Sequence, residues 1–227
     1  MPAGAVLLIA GSGPGTTRRA VRFHADAVKA TGRRAPAIAY VGAAANDSLA
    51  FEKLVSLMVF GRKAKVVPVR LKRKTLATST ARNLLADADL VFFTGGDVDL
   101  GMQLIDGRGL AGYLRELHAA GKTMEGISAG AVLLGRHWVR FPDDDDARAE
   151  AFECLGVVPH SFDCHGEDDD WSELRTLARL LPGEEEAFGI PSGGAAWWDG
   201  RKLSALGEPL LRLRCGTPPR ELPPLAP

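Results

Sequence analysis

Three cysteines stand in 227 residues, Cys154, Cys164 and Cys215, and no two form a C-x-x-C pair. An odd, widely spaced set excludes a disulfide framework and a zinc ribbon, and it suits reduced thiols in a cytoplasm. Charge of either sign is not in excess: Lys+Arg is 28 and Asp+Glu is 28, a formal net charge of zero. That balance argues against a general nucleic-acid binder and against a membrane-surface protein. Long apolar runs are missing too. The longest early one, Ala5–Ala10, is too short for a signal h-region and has no basic segment before it, and no stretch approaches transmembrane length. Hydrophobic residues at 46% and charged residues at 25% are ordinary for a globular chain, so disordered and collagen-like classes are excluded.

What is present is alternation. Ala5–Ala10 reads as a buried strand, followed by the Gly-rich turn Gly11–Gly15 and a helix over Thr16–Thr31 with Ala20, Phe23, Ala27 and Ala30 on one face. Pro36–Val41 predicts a second strand, and Asp47–Phe60 a helix capped by Asn46 or Asp47. Strands follow at Lys65–Leu71, Asp89–Thr94 and Lys122–Gly126, with helices at Ser79–Ala88 and about Arg108–Ala120. The last third is less regular, with short strands and one helix near Trp171–Leu181. Such alternation predicts an α/β fold, a three-layer sandwich with a mostly parallel central sheet and its site beyond the C-terminal strand ends. The length suits a single domain over residues 1–217, with the Pro-rich tail 218–227 extended and peripheral.

Gly126-Ile127-Ser128-Ala129-Gly130 is the sharpest motif. It matches G-x-S-x-G after a predicted strand and before the apolar helix Ala131–Leu134, the context of a nucleophile elbow. A serine on that turn is exposed at the top of the sheet, and the N–H of Ala129 at the helix start can stabilise an oxyanion. Thr94-Gly95-Gly96-Asp97 ends the neighbouring strand and supplies the second half of such a hole, or a turn in which Asp97 caps the next helix. A serine nucleophile needs a base. His24, His118 and His137 fall on predicted helices or a strand; His160 and His165 lie in an irregular segment that can return to the sheet top, and the residues alone leave those two open. The acidic runs Asp143–Asp146 and Glu167–Asp170 read as solvated loops without an EF-hand pattern. Asp163 would share a strand face with His165. Gly11–Gly15 fails the dinucleotide fingerprint at Thr16 and lacks the P-loop ending.

These residues resemble the dipeptidase E / cyanophycinase family of serine peptidases. The resemblance rests on Leu90–Leu100 (LVFFTGGDVDL), Gly126–Ala131 (GISAGA), Phe152–His165 (FECLGVVPHSFDCH) and Phe188–Ser192 (FGIPS), in order along most of the chain. It implies the flavodoxin-like fold of class I glutamine amidotransferases and a peptidase acting on a short peptide or related amide. By the same resemblance Ser128 is the nucleophile, His165 the base, and the N–H groups of Gly96 and Ala129 the oxyanion hole. For the acid, the dipeptidase E branch points to Asp143, with Asp163 as its rival; the glutamate of the cyanophycinase branch is replaced by Ser192. Asp97, Glu167 and Ser192 are candidates for substrate contact. Where the family carries arginines after the histidine, this chain has Gly166–Glu173 (GEDDDWSE), so a neutral or cationic substrate is expected. Amide transfer, which uses cysteine at the elbow, is disfavoured by Ser128; a catalytically silent ligand- or partner-binding relative is the other reading. No metal or organic cofactor is implied. The expected partners are a small peptide or amide substrate, neither nucleic acid nor membrane, with a homodimer as the candidate assembly.

Overall fold

A computed structural model describes residues 3–11, 16–60 and 65–227. In chain order its elements are β1 (Val6–Ile9), α1 (Thr16–Ala30), β2 (Ala37–Val41), α2 (Leu49–Val55), β3 (Lys65–Val69), α3 (Thr78–Asp87), β4 (Leu90–Phe93), α4 (Val98–Asp106), α5 (Ala111–Ala119) and β5 (Thr123–Ile127). They continue with α6 (Ala129–Leu134), β6 (His137–Arg140), β7 (Glu150–Glu153), β8 (Ser161–Cys164), α7 (Ser172–Leu180), β9 (Glu186–Ile190), β10 (Ala195–Trp198), β11 (Leu203–Leu206), β12 (Leu210–Arg214) and β13 (Arg220–Leu225).

The central sheet runs β11-β10-β1-β5-β4-β2-β3; β1, β5, β4, β2 and β3 pair in parallel, and β10 and β11 add antiparallel pairings at one edge. β1 (VLLI) and β4 (LVFF) are buried at all four positions, as strands covered on both faces must be. Alternate residues feed two apolar layers. Leu7, Ile9, Tyr40 and Phe92 pack with Ala20, Phe23 and Ala27 of α1. Val6, Leu8, Val41, Val91, Phe93 and Met124 pack with the helices of the other face. This is the predicted three-layer α/β arrangement. The last third builds a second sheet, β13-β12-β9-β8, and the two-stranded β6-β7.

The register positions the site. Ile9 pairs with Ile127 and Phe93 with Gly126, so β1, β5 and β4 end at one level. Gly11, Ser128 and Gly95-Gly96 therefore emerge side by side.

Several elements depart from their expected bounds. α2 is capped by Ser48, whose hydroxyl accepts from the Phe51 N–H. Asn46 and Asp47 both have φ of 55°, outside a cap's extended range, and Asp47 Oδ2 accepts from the Lys72 N–H at 2.7 Å. The chain from Asp97 to Ala120 forms two helices, α4 and α5, in place of one. Gly109 at φ 61° breaks the run, and Arg108 there donates to the carbonyls of Leu71 and Leu76, each at 2.8 Å. The tail is extended but hydrogen-bonded: β13 is the edge strand on β12. Pro223 and Pro224 are tolerated because one faces the open side of the edge strand and they lie where the pairing with β12 shifts register, between Leu210–Leu225 and Arg212–Leu222. Of the Gly11–Gly15 turn only Gly11 lies within the described residues, at φ 85°. Among the described residues no helix is long and apolar enough to cross a membrane.

Candidate active site

Ser128 sits between β5 and α6 at φ 53°, ψ −123°. A non-glycine residue there carries strain of about 1–3 kcal/mol, which the surrounding packing must hold. The motif's glycines explain how. A Cβ at Gly126 would overlap the Gly130 carbonyl, and a Cβ at Gly130 would overlap the Phe93 carbonyl of β4. The Ser128 N–H donates to the Ile9 carbonyl at 2.8 Å, which ties the turn to β1. The Gly95-Gly96 turn leans over the serine: a Cβ at Gly95 would lie 3.2 Å from Ser128 Cβ. Gly96 adopts φ 140°, where a Cβ would run into the Ala44 carbonyl. The Asp97 N–H donates to that same carbonyl at 2.9 Å, and Asp97 Oδ1 caps α4 at the Leu100 N–H. Among the described residues neither the Gly96 N–H nor the Ala129 N–H has a protein acceptor. Ala129 opens α6, where a first-turn N–H has no partner inside the helix.

His165 follows β8 with φ 51°, and its N–H donates to the Ile190 carbonyl at 2.9 Å. Its Nε2 lies 2.8 Å from Ser128 Oγ, which joins residues 37 apart in sequence. The other histidines are occupied elsewhere. His24 Nδ1 is 2.7 Å from the buried Glu125 carboxylate. His118 contacts the Gly4 carbonyl through Nε2, and burial holds its pKa down. His137 faces Glu185 on β6, and His160 stands edge-on to Phe188 and Trp198.

The carboxylates divide. Asp143 is 77% exposed, pairs with Arg148, makes no hydrogen bond to His165 and does not line the cleft around Ser128. Its loop turns it away at φ 57°. Asp163 lines the cleft and is 7% exposed; its Oδ1 accepts from the Cys164 N–H at 2.7 Å. Burial pushes its pKa up to about 7, the carboxylates of Glu173, Asp169 and Glu167 push the same way, and the Cys164 N–H opposes them. Among the described residues no carboxylate hydrogen-bonds to Nδ1 of His165. Glu167 Oε1 instead accepts from the Ser192 N–H at 2.6 Å, and neither residue lines the cleft, whereas Asp97 does. Asp168, Asp169 and Glu173, which sequence reasoning took for a solvated run and the start of a helix, line it as well. Their signal was available: they stand three to eight positions beyond a histidine that returns to the sheet top, in the stretch where the resemblance puts substrate-binding arginines. Burial pushes the Glu173 pKa up, Asp169 adds to the push, and His165 counters it. The Cys164 thiol lies beneath, 3.7 Å from the Ser128 carbonyl, and burial holds it protonated.

Asp163 carries a pH signature. A carboxyl whose folded pKa exceeds its unfolded one binds its proton more tightly when folded. Its contribution is therefore intact at low pH and is lost as pH rises from about 4 through about 7. Asp163→Asn is expected to be more stable than wild type at pH 8, by an amount on the order of 2–4 kcal/mol, with the advantage gone by pH 4. Urea unfolding of both proteins across that range measures it; a constant difference would contradict the assignment.

A strained serine at a strand-to-helix turn, with an imidazole on its hydroxyl, is the arrangement of serine-type hydrolases on α/β folds. The chain belongs to Peptidase family S51, whose family model matches residues 6–205. This makes it a serine-type peptidase, and its substrate a peptide. In fold it is similar to a peptidase from an acI-B1 Actinobacterium, with TM-score 0.72 and 18% identity over 97% of this chain and 94% of that one. It is similar also to a putative peptidase E protein from Listeria monocytogenes EGD-e, with TM-score 0.67 and 15% identity over 89% of this chain and 98% of that one. No curated protein matches the sequence.

Proposed function

We propose that the protein hydrolyses short peptides, with Ser128 as nucleophile, His165 as general base and then acid, and the N–H groups of Gly96 and Ala129 as the oxyanion hole. The 2.8 Å contact between Ser128 Oγ and His165 Nε2 carries this reading. Oγ forms a bond to the scissile carbonyl carbon while its proton passes to Nε2. The oxygen that gains charge is received by the two N–H groups, neither of which has a protein acceptor to lose. The C–N bond then breaks, the proton moves from Nε2 to the leaving amine, and an acyl ester remains on Ser128. Water adds by the same route in reverse and releases the acid.

The reading needs no carboxylate on Nδ1. Asp143 is engaged by Arg148, so the proposed unit is a Ser128–His165 pair without an orienting carboxylate. The bare Nδ1 is also the observation that favours the second reading, a silent relative that binds a ligand without turnover.

A fluorophosphonate probe read by intact mass separates the two. One adduct on wild type and none on Ser128→Ala is the expected outcome. A folded wild type that takes no adduct would favour the silent relative.

A further inference from the structure

The cleft around Ser128, about 600 Å³, is large enough for a dipeptide, and its charge is one-sided. Six carboxylates line it: Asp97, Asp99, Asp163, Asp168, Asp169 and Glu173. The one guanidinium there, Arg140, is held by Asp99 at 3.7 Å and Glu150 at 3.3 Å and stacks over Phe152. It is not free to receive a substrate carboxylate. The first arginine after His165, Arg175, pairs with Asp170 and Glu221. On the β8–α7 wall, no Lys or Arg among the described residues pairs with Asp163, Asp168, Asp169 or Glu173; Asp169 has only the Ser172 hydroxyl, at 2.8 Å.

Asp163 supplies a separate observation. It is more than nine-tenths buried and lines the cleft, yet among the described residues only one of its oxygens has a donor. The other oxygen, Oδ2, is not among the side-chain atoms sealed from solvent, so it is an acceptor open to a donor from what enters the cleft. Among the described residues no three His, Cys, Asp or Glu side chains converge as metal ligands do. Separate acceptors spread along one wall fit an ammonium or a guanidinium, whose N–H groups point in several directions. The aliphatic stem of a basic side chain would find apolar lining in Trp138 and Val139.

We propose that this wall, Asp163 with Asp168, Asp169 and Glu173, is a cation subsite, and that the protein selects short peptides carrying a positive charge on the residue seated there. Dipeptides with an acidic residue in that place are rejected, since their charge meets carboxylates with no free cation to offset it. The inference takes from the preceding section only that the cleft is where peptide binds. The positive charge is that of a basic side chain, because the α-ammonium is common to every free dipeptide and selects among none of them.

Ser128→Ala protein, which binds without turning over, is titrated calorimetrically with Lys-Ala, norleucine-Ala, Ala-Lys, Asp-Ala and N-acetyl-Lys-Ala. The tighter of Lys-Ala and Ala-Lys is expected to bind at least about tenfold tighter than norleucine-Ala, and Asp-Ala weakest. The preference should shrink as salt rises from about 0.01 M to 0.15 M. N-acetyl-Lys-Ala is expected to keep the tighter binding, since its side-chain charge does not depend on the α-ammonium; binding no tighter than that of norleucine-Ala would overturn the assignment. Asp168→Asn, at an exposed position, should reduce the ratio between charged and uncharged peptides. Equal binding of Lys-Ala, Ala-Lys and norleucine-Ala would overturn the subsite, as would a preference for Asp-Ala or no binding by any of them. Slowing of fluorophosphonate labelling of wild type by the same peptides checks the order without a substitution. A wild type that labels while the peptides show no charge preference leaves the hydrolase standing and removes the subsite. A wild type that does not label, beside a charge preference in calorimetry, does the reverse.

Discussion

Replacing Ser128 by alanine is expected to lower kcat by about 10^6-fold, and His165→Ala by a similar factor, with the double substitution costing no more than either alone. The non-additivity is the informative part. The 2.8 Å contact makes the two side chains one proton-transfer unit, so removing the serine leaves the imidazole nothing to activate, and removing the imidazole leaves an alcohol that keeps its proton. A residual rate above that in water should survive in all three variants, because Gly96 and Ala129 still offer N–H groups to the developing oxyanion. KM should change little, since neither group is asked to hold the ground-state substrate. Asp143→Ala belongs in the same series and should stay within about threefold of wild type, because an exposed ion pair with Arg148 is worth about 0–1 kcal/mol. Hydrolysis of one short peptide, followed by amine release, gives all four values. Multiplicative losses at Ser128 and His165 would mean that they act independently and would dissolve the proposed pair. A thousandfold loss at Asp143 would restore it as the acid that orients the imidazole.

Legibility in the sequence followed the range of the interactions. The parallel strands were readable because burial on both faces writes them as continuous apolar runs, and β1 and β4 are such runs. The elbow was readable because five consecutive residues contain its whole logic: Gly126 and Gly130 are the positions where a Cβ would strike backbone. α4 was legible only at its start, where Asp97 reads as a cap; its nine residues, with Val98, Met102 and Ile105 on the buried face, were not marked as a helix separate from the one near Arg108–Ala120. β13 escaped because proline argues against a strand unless one knows that the strand is an edge. At the site, the contact of Ser128 with His165 spans 37 residues, and residue types alone left His160 open beside it. Family resemblance chose between them. The resemblance that pointed to Asp143 could not foresee Arg148 five residues on, competing for the same carboxylate. The acidic stretch after His165 was readable, through the resemblance, as facing substrate in place of arginines, but not which of its carboxylates line the cleft, because their directions depend on how Gly166–Trp171 turns into α7. There Asp170 and Trp171 both take positive φ, and the Trp171 ring packs against Gly166 and Gly189.

The largest effect on stability is expected beneath the site, at a pair that no motif announced. Glu125 is fully buried on β5, and its Oε2 lies 2.7 Å from Nδ1 of His24 on α1, 101 residues away. The imidazole packs at 4.9 Å from the Phe60 ring, which meets Phe92 edge-on at 4.8 Å, so the carboxylate sits in an aromatic layer. Its other oxygen, Oε1, has no partner among the described residues. His24→Ala therefore strips the only side-chain partner from a buried acid and should cost about 3–5 kcal/mol, a shift of about 1–2 M in the urea midpoint. His24→Leu combined with Glu125→Met removes both polar groups and fills much of the same volume, and it should come within about 1 kcal/mol of wild type or exceed it. The interaction energy between the two positions then isolates the pair from the loss of packing. If His24→Ala cost less than about 1 kcal/mol, the carboxylate would have to find another partner, and the buried pair would not be what joins α1 to β5.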